Sequence, residues 1–282
     1  MSGPGCPITG DLNGDGISDL ILGANGLGGV GAYLGNGDGT FTLASVIPVG
    51  PGVLALGDFN HDGIRDLADS SNQLALGNGD GTFQPPVAMA PKPPPNAFTW
   101  IAVGDVNNDG YSDVLATQWD GGRGLYVLLN NKHGGFTQSV VKKSGASQAV
   151  TLADLNGDGN LDAVVFTVNQ EEAYVYLGNG KGEFTPITSL SWPGPDGIVQ
   201  QIGDVNGDGI LDLLMPADGS LGIALGKGDG TVLTPFALGV GVGAGQILLQ
   251  NLHGQSPKAG LPDIVAPDDS YGNVMVLINF TK

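Results

Sequence analysis

Residues 11–19 read DLNGDGISD, and the chain returns to that string four times: DFNHDGIRD at 58–66, DVNNDGYSD at 105–113, DLNGDGNLD at 154–162 and DVNGDGILD at 204–212. The starts are 47, 47, 49 and 50 residues apart, and a worn sixth copy begins at Asn251, another 47 residues on. A fixed period of this length marks a repeat architecture, in which each unit is one supersecondary element that needs neighbours to bury its face. Six units fill the 282 residues, at approximately 6–52, 53–99, 100–148, 149–198, 199–245 and 246–282, within a single domain spanning 1–282.

A second string follows roughly 20 residues into most units: GNGDGTF at Gly35 and Gly77, GNGKGEF at Gly178, GKGDGTV at Gly226 and the drifted NNKHGGF at Asn130. Between these turns lie short runs such as Trp100-Ile-Ala-Val, Leu125-Tyr-Val-Leu-Leu and Ala173-Tyr-Val-Tyr-Leu. They are rich in β-branched and aromatic residues and too short for helices, so they read as strands. The window from Asn160 to Leu177, free of Gly and Pro, tempts a helix reading. Its Val, Phe, Thr and Tyr on both sides of polar Asn169-Gln-Glu-Glu172 fit two strands and a turn better. Each unit is then strand A, the Asp-rich loop, strand B, a variable loop, strand C, the Gly-rich hairpin and strand D. The predicted fold is all-β, a six-bladed β-propeller of four-stranded antiparallel blades. The last blade is expected to be incomplete, because the chain stops at Lys282, just after the sixth strand C. A linear solenoid of the same units ranks lower, since blades this short need neighbours on both sides.

Positions 1, 3, 5 and 9 of the loop are Asp, Asn, Asp and Asp, and position 6 is always Gly. Calcium takes six to eight hard oxygens at flexible geometry, and Gly at the sixth place permits the sharp turn such a loop needs. The expected ligands are Asp11, Asn13, Asp15 and Asp19; Asp58, Asn60, Asp62 and Asp66; Asp105, Asn107, Asp109 and Asp113; Asp154, Asn156, Asp158 and Asp162; and Asp204, Asn206, Asp208 and Asp212. Position 7 adds a backbone carbonyl in each loop, from Ile17, Ile64, Tyr111, Asn160 and Ile210. Asp, Asn and Gly are also ordinary turn residues. Charge favours metal: each loop packs three carboxylates into nine residues, which repel one another without a cation. The five loops hold 15 of the 28 acids, and five bound Ca²⁺ would bring the net charge from −18 to −8. The sixth loop, Asn251 through Asp263, loses two of its three acids and gains four residues, and is expected to be metal-free.

Composition narrows the partners. Acids outnumber Lys and Arg by 28 to 10, so the clustered cations that grip phosphate are missing, which argues against nucleic acid and an anionic membrane surface. Gly and Pro together make about 24% of the chain, while 41% hydrophobic content supports a packed core. The single cysteine, Cys6, excludes an internal disulfide framework and a cysteine-rich zinc site. The most apolar stretch, Phe236 to Leu249, is short and dotted with Gly, so no membrane insertion is expected.

With the G-D-x-N-x-D-G-x-x-D core intact at Gly57, Gly104 and Gly203, and Ala153 replacing the Gly in the fourth copy, the chain resembles the FG-GAP (VCBS) repeat family. That family includes integrin α heads, fungal propeller lectins and propellers attached to polysaccharide lyases. The resemblance implies a calcium-stabilised, usually extracellular propeller, and leaves the ligand open. The expected location is secreted or cell-surface, any leader being absent from this chain.

In an up-and-down blade the A–B and C–D turns share one end, so calcium loops and Gly-rich hairpins lie together. The opposite end carries the B–C and D–A loops, which vary, and variable loops usually carry function. Trp100, Trp119, Arg123, Trp192 and Tyr271 map to that end. Aromatic rings beside hydrogen-bonding groups suit the apolar face and hydroxyl rim of a sugar, and Trp and Tyr also anchor protein interfaces. The three histidines fall on the calcium face in different blades, and basic groups on the variable face are few. A non-enzymatic, lectin-like recognition module for a glycan is the first expectation. A propeller binding a cell-surface protein, or serving as scaffold in a larger secreted protein, comes second, and a polysaccharide-active enzyme third.

Overall fold

A computed structural model describes residues 7–24, 28–50, 52–90, 98–118, 124–141, 147–167, 172–191, 201–217, 220–239, 247–250, 261–268 and 273–277. It divides into two compact units, Met1–Lys142 and Lys143–Lys282.

In the first unit, blade 1 comprises β1 (Ile8–Gly10), β2 (Asp19–Ala24), β3 (Gly29–Gly35) and β4 (Phe41–Ile47). Blade 2 comprises β5 (Leu54–Gly57), β6 (Asp66–Asp69), β7 (Gln73–Ala75) and β8 (Val87–Ala88). Blade 3 comprises β9 (Trp100–Gly104), β10 (Asp113–Thr117), β11 (Leu125–Asn130) and β12 (Phe136–Val141). In the second unit, blade 4 comprises β13 (Ser147–Ala153), β14 (Asp162–Thr167), β15 (Glu172–Gly178) and β16 (Phe184–Ser191). Blade 5 comprises β17 (Gln201–Gly203), β18 (Asp212–Ala217), β19 (Ser220–Ala224) and β20 (Phe236–Leu238). Blade 6 is β21 (Leu248–Gln250), β22 (Asp263–Asp268) and β23 (Asn273–Leu277).

Strands pair in chain order within every sheet, each with its neighbour antiparallel. This is the all-β, six-bladed β-propeller fold, with three strands in the last blade among the described residues. The Asn160 to Leu177 window is two strands, β14 and β15, as its composition requires. Register places the loops: Gly10 pairs with Asp19, Gly57 with Asp66, Gly104 with Asp113, Ala153 with Asp162 and Gly203 with Asp212. Each Asp-rich loop is therefore the A–B turn, and its ninth residue opens strand B.

The core lies between the faces of neighbouring blades. Leu12, Ile21, Val30 and Ile47 of blade 1 pack with Leu54, Leu67 and Ala75 of blade 2. Phe59, Leu74 and Met89 meet Ile101, Val114, Tyr126 and Phe136 of blade 3. In the second unit, Leu214, Leu221 and Ile223 pack on Ile247 and Ile264. The middle strands β10 and β14 are buried along their whole length, while β16 alternates toward solvent and β12 is largely solvent-facing after Phe136. Central strands with two covered faces read as continuous apolar runs, and outer ones as alternating runs. The glycine ahead of the Asp-rich loop follows from this contact: a Cβ on Gly10 would lie 2.7 Å from Leu56 Cδ1 of the next blade, and one on Gly57 2.6 Å from Val103 Cγ1.

Candidate metal loops and the variable end

The five Asp-rich loops share one hydrogen-bonded design. Position 6 sits in the left-handed region, at φ +79° in Gly16 and up to +87° in Gly110, which only glycine adopts without strain. Position 4 is left-handed too, as Gly14, His61, Asn108, Gly157 and Gly207. With the chain so turned, loop amides point inward. Asp11 accepts from the N–H groups of Gly14 (2.7 Å) and Gly16 (2.9 Å), and Asp154 from those of Gly157 and Gly159 (both 2.8 Å). Asn13 Oδ1 accepts from the Asp15 N–H, Asp15 Oδ1 from the Ile17 N–H, and Asn13 Nδ2 donates to Asp15 Oδ2 at 2.8 Å. The same Asn-to-Asp contact recurs at Asn60, Asn107, Asn156 and Asn206, between 2.7 and 3.1 Å.

The ninth residue does something different. Asp19, Asp66, Asp113, Asp162 and Asp212 are fully buried at the start of strand B. One oxygen of each accepts from the second loop residue: Leu12, Phe59, Val106, Leu155 and Val205. The other accepts from the first residue of the Gly-rich hairpin: Gly35, Gly77, Asn130, Gly178 and Gly226. Position 9 thus ties loop, strand B and hairpin together. Asp263 of the degenerate sixth unit is also buried, although acids elsewhere in that loop are gone.

Electrostatics separates the acids. Burial, opposed by the N–H groups of Asn130 and Val106 and reinforced by the charges of Asp109 and Asp105, pushes the Asp113 carboxyl up to about 6. Burial likewise raises Asp66, Asp162 and Asp212, each with a contribution from the two acids of its own loop. The Gly16 N–H, chief among several amides, holds the Asp11 carboxyl below the usual range.

The donor set of each loop is oxygen only, with three acids inside nine residues, which is the chemistry a hard divalent cation takes. In this structure the acids face loop amides. Among the described residues no three His, Cys, Asp or Glu side chains converge to hold a metal.

Sequence reasoning passed over a cluster on the same end of blades 2 and 3. His61 Nδ1 lies 2.7 Å from the Gly110 carbonyl oxygen, and its ring is 5.1 Å from that of Tyr111. Lys132 stands over the Tyr111 ring at 5.2 Å and 3.3 Å from Asp109 Oδ2. The signal was the drift of NNKHGGF, which puts a lysine where four other hairpins have glycine.

At the opposite end the structure places Trp100 half-buried at the start of β9, its backbone paired with Thr117. Trp119, Arg123, Trp192 and Tyr271 lie outside the described residues, as do residues 251–260 of the sixth loop. Two constructions at this end were not foreseen. In blade 2, Asp69 accepts from the Gln73 and Gly50 N–H groups, while Asn72, at φ +72°, exchanges hydrogen bonds with both backbone groups of Ala90. In blade 4, the Tyr174 hydroxyl donates to the Glu172 carboxylate, which pushes the phenol up to about 12. No helix among the described residues is long and apolar enough to cross a membrane.

Comparison with known proteins fits this architecture. An Agrocybe aegerita lectin, solved for its specific recognition of non-reducing terminal N-acetylglucosamine, superposes with a TM-score of 0.66 at 20% identity, covering 97% of this chain and 80% of the lectin. A Bacteroides uniformis protein assigned provisionally as a 6-phosphogluconolactonase gives a TM-score of 0.55 at 12% identity, covering 96% of this chain and 80% of its own. At these identities both comparisons speak to the fold. A T-cell immunomodulatory protein homolog of Plasmodium falciparum is 26% identical over 131 residues, 40% of this chain and 18% of that protein. The FG-GAP-like repeat matches residues 11–68, 67–116, 105–165 and 154–215, an overlapping series that runs from the first Asp-rich loop into the strand after the fifth. With well over half of its residues inside those matches, the chain belongs to the FG-GAP-like repeat family.

Proposed function

We propose that this chain is a calcium-stabilised, secreted or cell-surface recognition module, without catalytic activity, that binds a glycan through the end of the blades opposite the Asp-rich loops. The observation that carries the reading is the division within each blade. One end repeats the same oxygen-rich loop and hairpin five times, and the other changes length and composition from blade to blade. Repetition at one end suits a scaffold, and variation at the other suits recognition. The lectin-like fold supports a sugar as ligand, and so does the aromatic content of the variable segments.

In this reading Asp11, Asn13, Asp15, Asp19 and the Ile17 carbonyl hold one Ca²⁺, and the other four loops do the same with their matching residues. The ion supplies positive charge that offsets the three acids of its loop. The chain's own residues do the rest: the ninth Asp anchors the loop to the hairpin, and left-handed glycines aim the amides inward.

A glycan array probed in Ca²⁺ tests the proposal. Binding to defined glycans is expected, with Trp119→Ala or Trp192→Ala weakening it by about tenfold or more if either ring is a contact anchor. Absence of glycan binding with capture of a surface protein would favour the adhesion reading instead. Cleavage of a polysaccharide would show an enzyme.

A further inference from the structure

The five Asp-rich loops differ in what faces them. In four blades the third residue of the facing hairpin is Gly37, Gly79, Gly180 or Gly228, at φ between +65° and +77°. In blade 3 that place is Lys132, at φ +64°, a left-handed conformation that a lysine adopts only at a cost. Loop position 7 differs there too, being isoleucine in blades 1, 2 and 5 and Asn160 in blade 4. Ile17, Ile64 and Ile210 extend over their hairpin glycines, so that a Cβ on Gly37, Gly79 or Gly228 would come within 3.1 to 3.4 Å of the Ile Cδ1. In blade 3 position 7 is Tyr111, whose ring lies under the lysine rather than in its way. The ammonium thereby reaches Asp109, the fifth residue of the loop, at 3.3 Å, with Lys132 itself 44% exposed and Asp109 21%.

We propose that Lys132 is a built-in counter-ion of the third loop, competing with Ca²⁺ for Asp109 and making this loop the last of the five to fill. The inference rests on the calcium reading above. A carboxylate already paired with an ammonium gains less from a metal, and the metal must also meet the repulsion of the ammonium. Because Lys132 is partly solvated, the effect is modest, an expected loss of affinity of about three- to tenfold that shrinks as salt rises. Tyr111 shapes the loop's selectivity by holding the lysine in place.

Tyr111 also supplies the measurement. It is the only aromatic residue at position 7 of the five loops, and its ring lies 5.2 Å from the ammonium that pairs with Asp109, so a Tb³⁺ ion held by this loop would have a phenol nearby to sensitise its luminescence. Tyr-excited Tb³⁺ emission, corrected with Tyr111→Phe, reports the third loop, while equilibrium dialysis counts the ion bound by the whole chain. Lys132→Gly restores the residue of the other hairpins and suits the observed φ, so the variant folds. In the wild type, emission is expected to saturate at a higher Tb³⁺ concentration than the dialysis isotherm as a whole. Lys132→Gly and Lys132→Gln should each lower the emission midpoint by about three- to tenfold. An unchanged midpoint in both variants, with Tb³⁺ still bound by dialysis, overturns the role of Lys132 and leaves the calcium reading standing. Dialysis showing no bound Tb³⁺ overturns both.

Discussion

The ninth residue of each Asp-rich loop has two tasks that can be separated. Asp162 is fully buried and accepts the Leu155 and Gly178 N–H groups at 2.9 Å each, so its carboxylate stabilises the blade whether or not a metal is present. Asp158, exposed at position 5, has its carboxyl lowered chiefly by the Asn160 N–H and offers water an equally good partner. In EDTA, Asp162→Ala is therefore expected to lower stability by about 2–4 kcal/mol, since two buried amides lose a charged acceptor, while Asp158→Ala leaves the midpoint nearly unchanged. Urea midpoints of the two variants check this, and equal losses would contradict the assignment. The spacing of Asp, Asn and Gly in the sequence located this residue but not its anchoring task. Leu155 belongs to the loop itself, but the second partner, Gly178, comes from a different turn of the blade, and nothing local to the loop names it.

At the scale of turns and strands, the repeat fixes most of the architecture because each turn carries its own backbone chemistry. Gly159 at φ +85° closes the A–B turn, and Gly178 cannot accept a Cβ, which would lie 2.1 Å from the Leu161 carbonyl oxygen. Those constraints, with apolar runs such as Ala163-Val-Val-Phe, made the order of strands readable. The blade 2 turn built on Asp69 and Asn72 was not readable, because its hydrogen bonds join residues up to 19 apart in the chain and appear only once the strands pair. That turn has a signature in pH. Burial raises the Asp69 carboxyl above 3.8, so between 3.8 and its folded value the native state holds more protons than the unfolded chain. Its contribution is full below 3.8 and is lost as pH rises through the folded value. Asp38, Asp80 and Asp229 act in the opposite sense. The Thr40, Thr82 and Thr231 hydroxyls lower their carboxyls, and their contribution is lost as pH falls below 3.8. Stability of the wild type relative to Asp69→Asn should thus increase as pH falls from 7 to 4, measured by urea unfolding at each pH. A decrease over that interval would contradict the account.

For the molecule as a whole, the decisive quantities are period and charge. A period of 47 to 50 residues specified six sheets, and the core residues between neighbouring blades are those the short apolar runs supply. The ligand was less legible. In the proposed reading the ligand meets the non-repeated segments, and single copies of Trp100, Trp119 or Trp192 carry no pattern that distinguishes a contact from a packing residue. The charge of −18 is concentrated in the five loops, and the offsetting of their carboxylates by Ca²⁺ is the central claim. Thermal unfolding in saturating Ca²⁺ and in excess EDTA tests it most directly, because an ion that binds only the native state must raise its stability. The account predicts a midpoint higher by about 5 °C or more in Ca²⁺, with the gap growing with free Ca²⁺ concentration. Superimposable curves in Ca²⁺ and EDTA would mean that the loops are closed by their own amides alone, and would contradict a calcium-stabilised propeller.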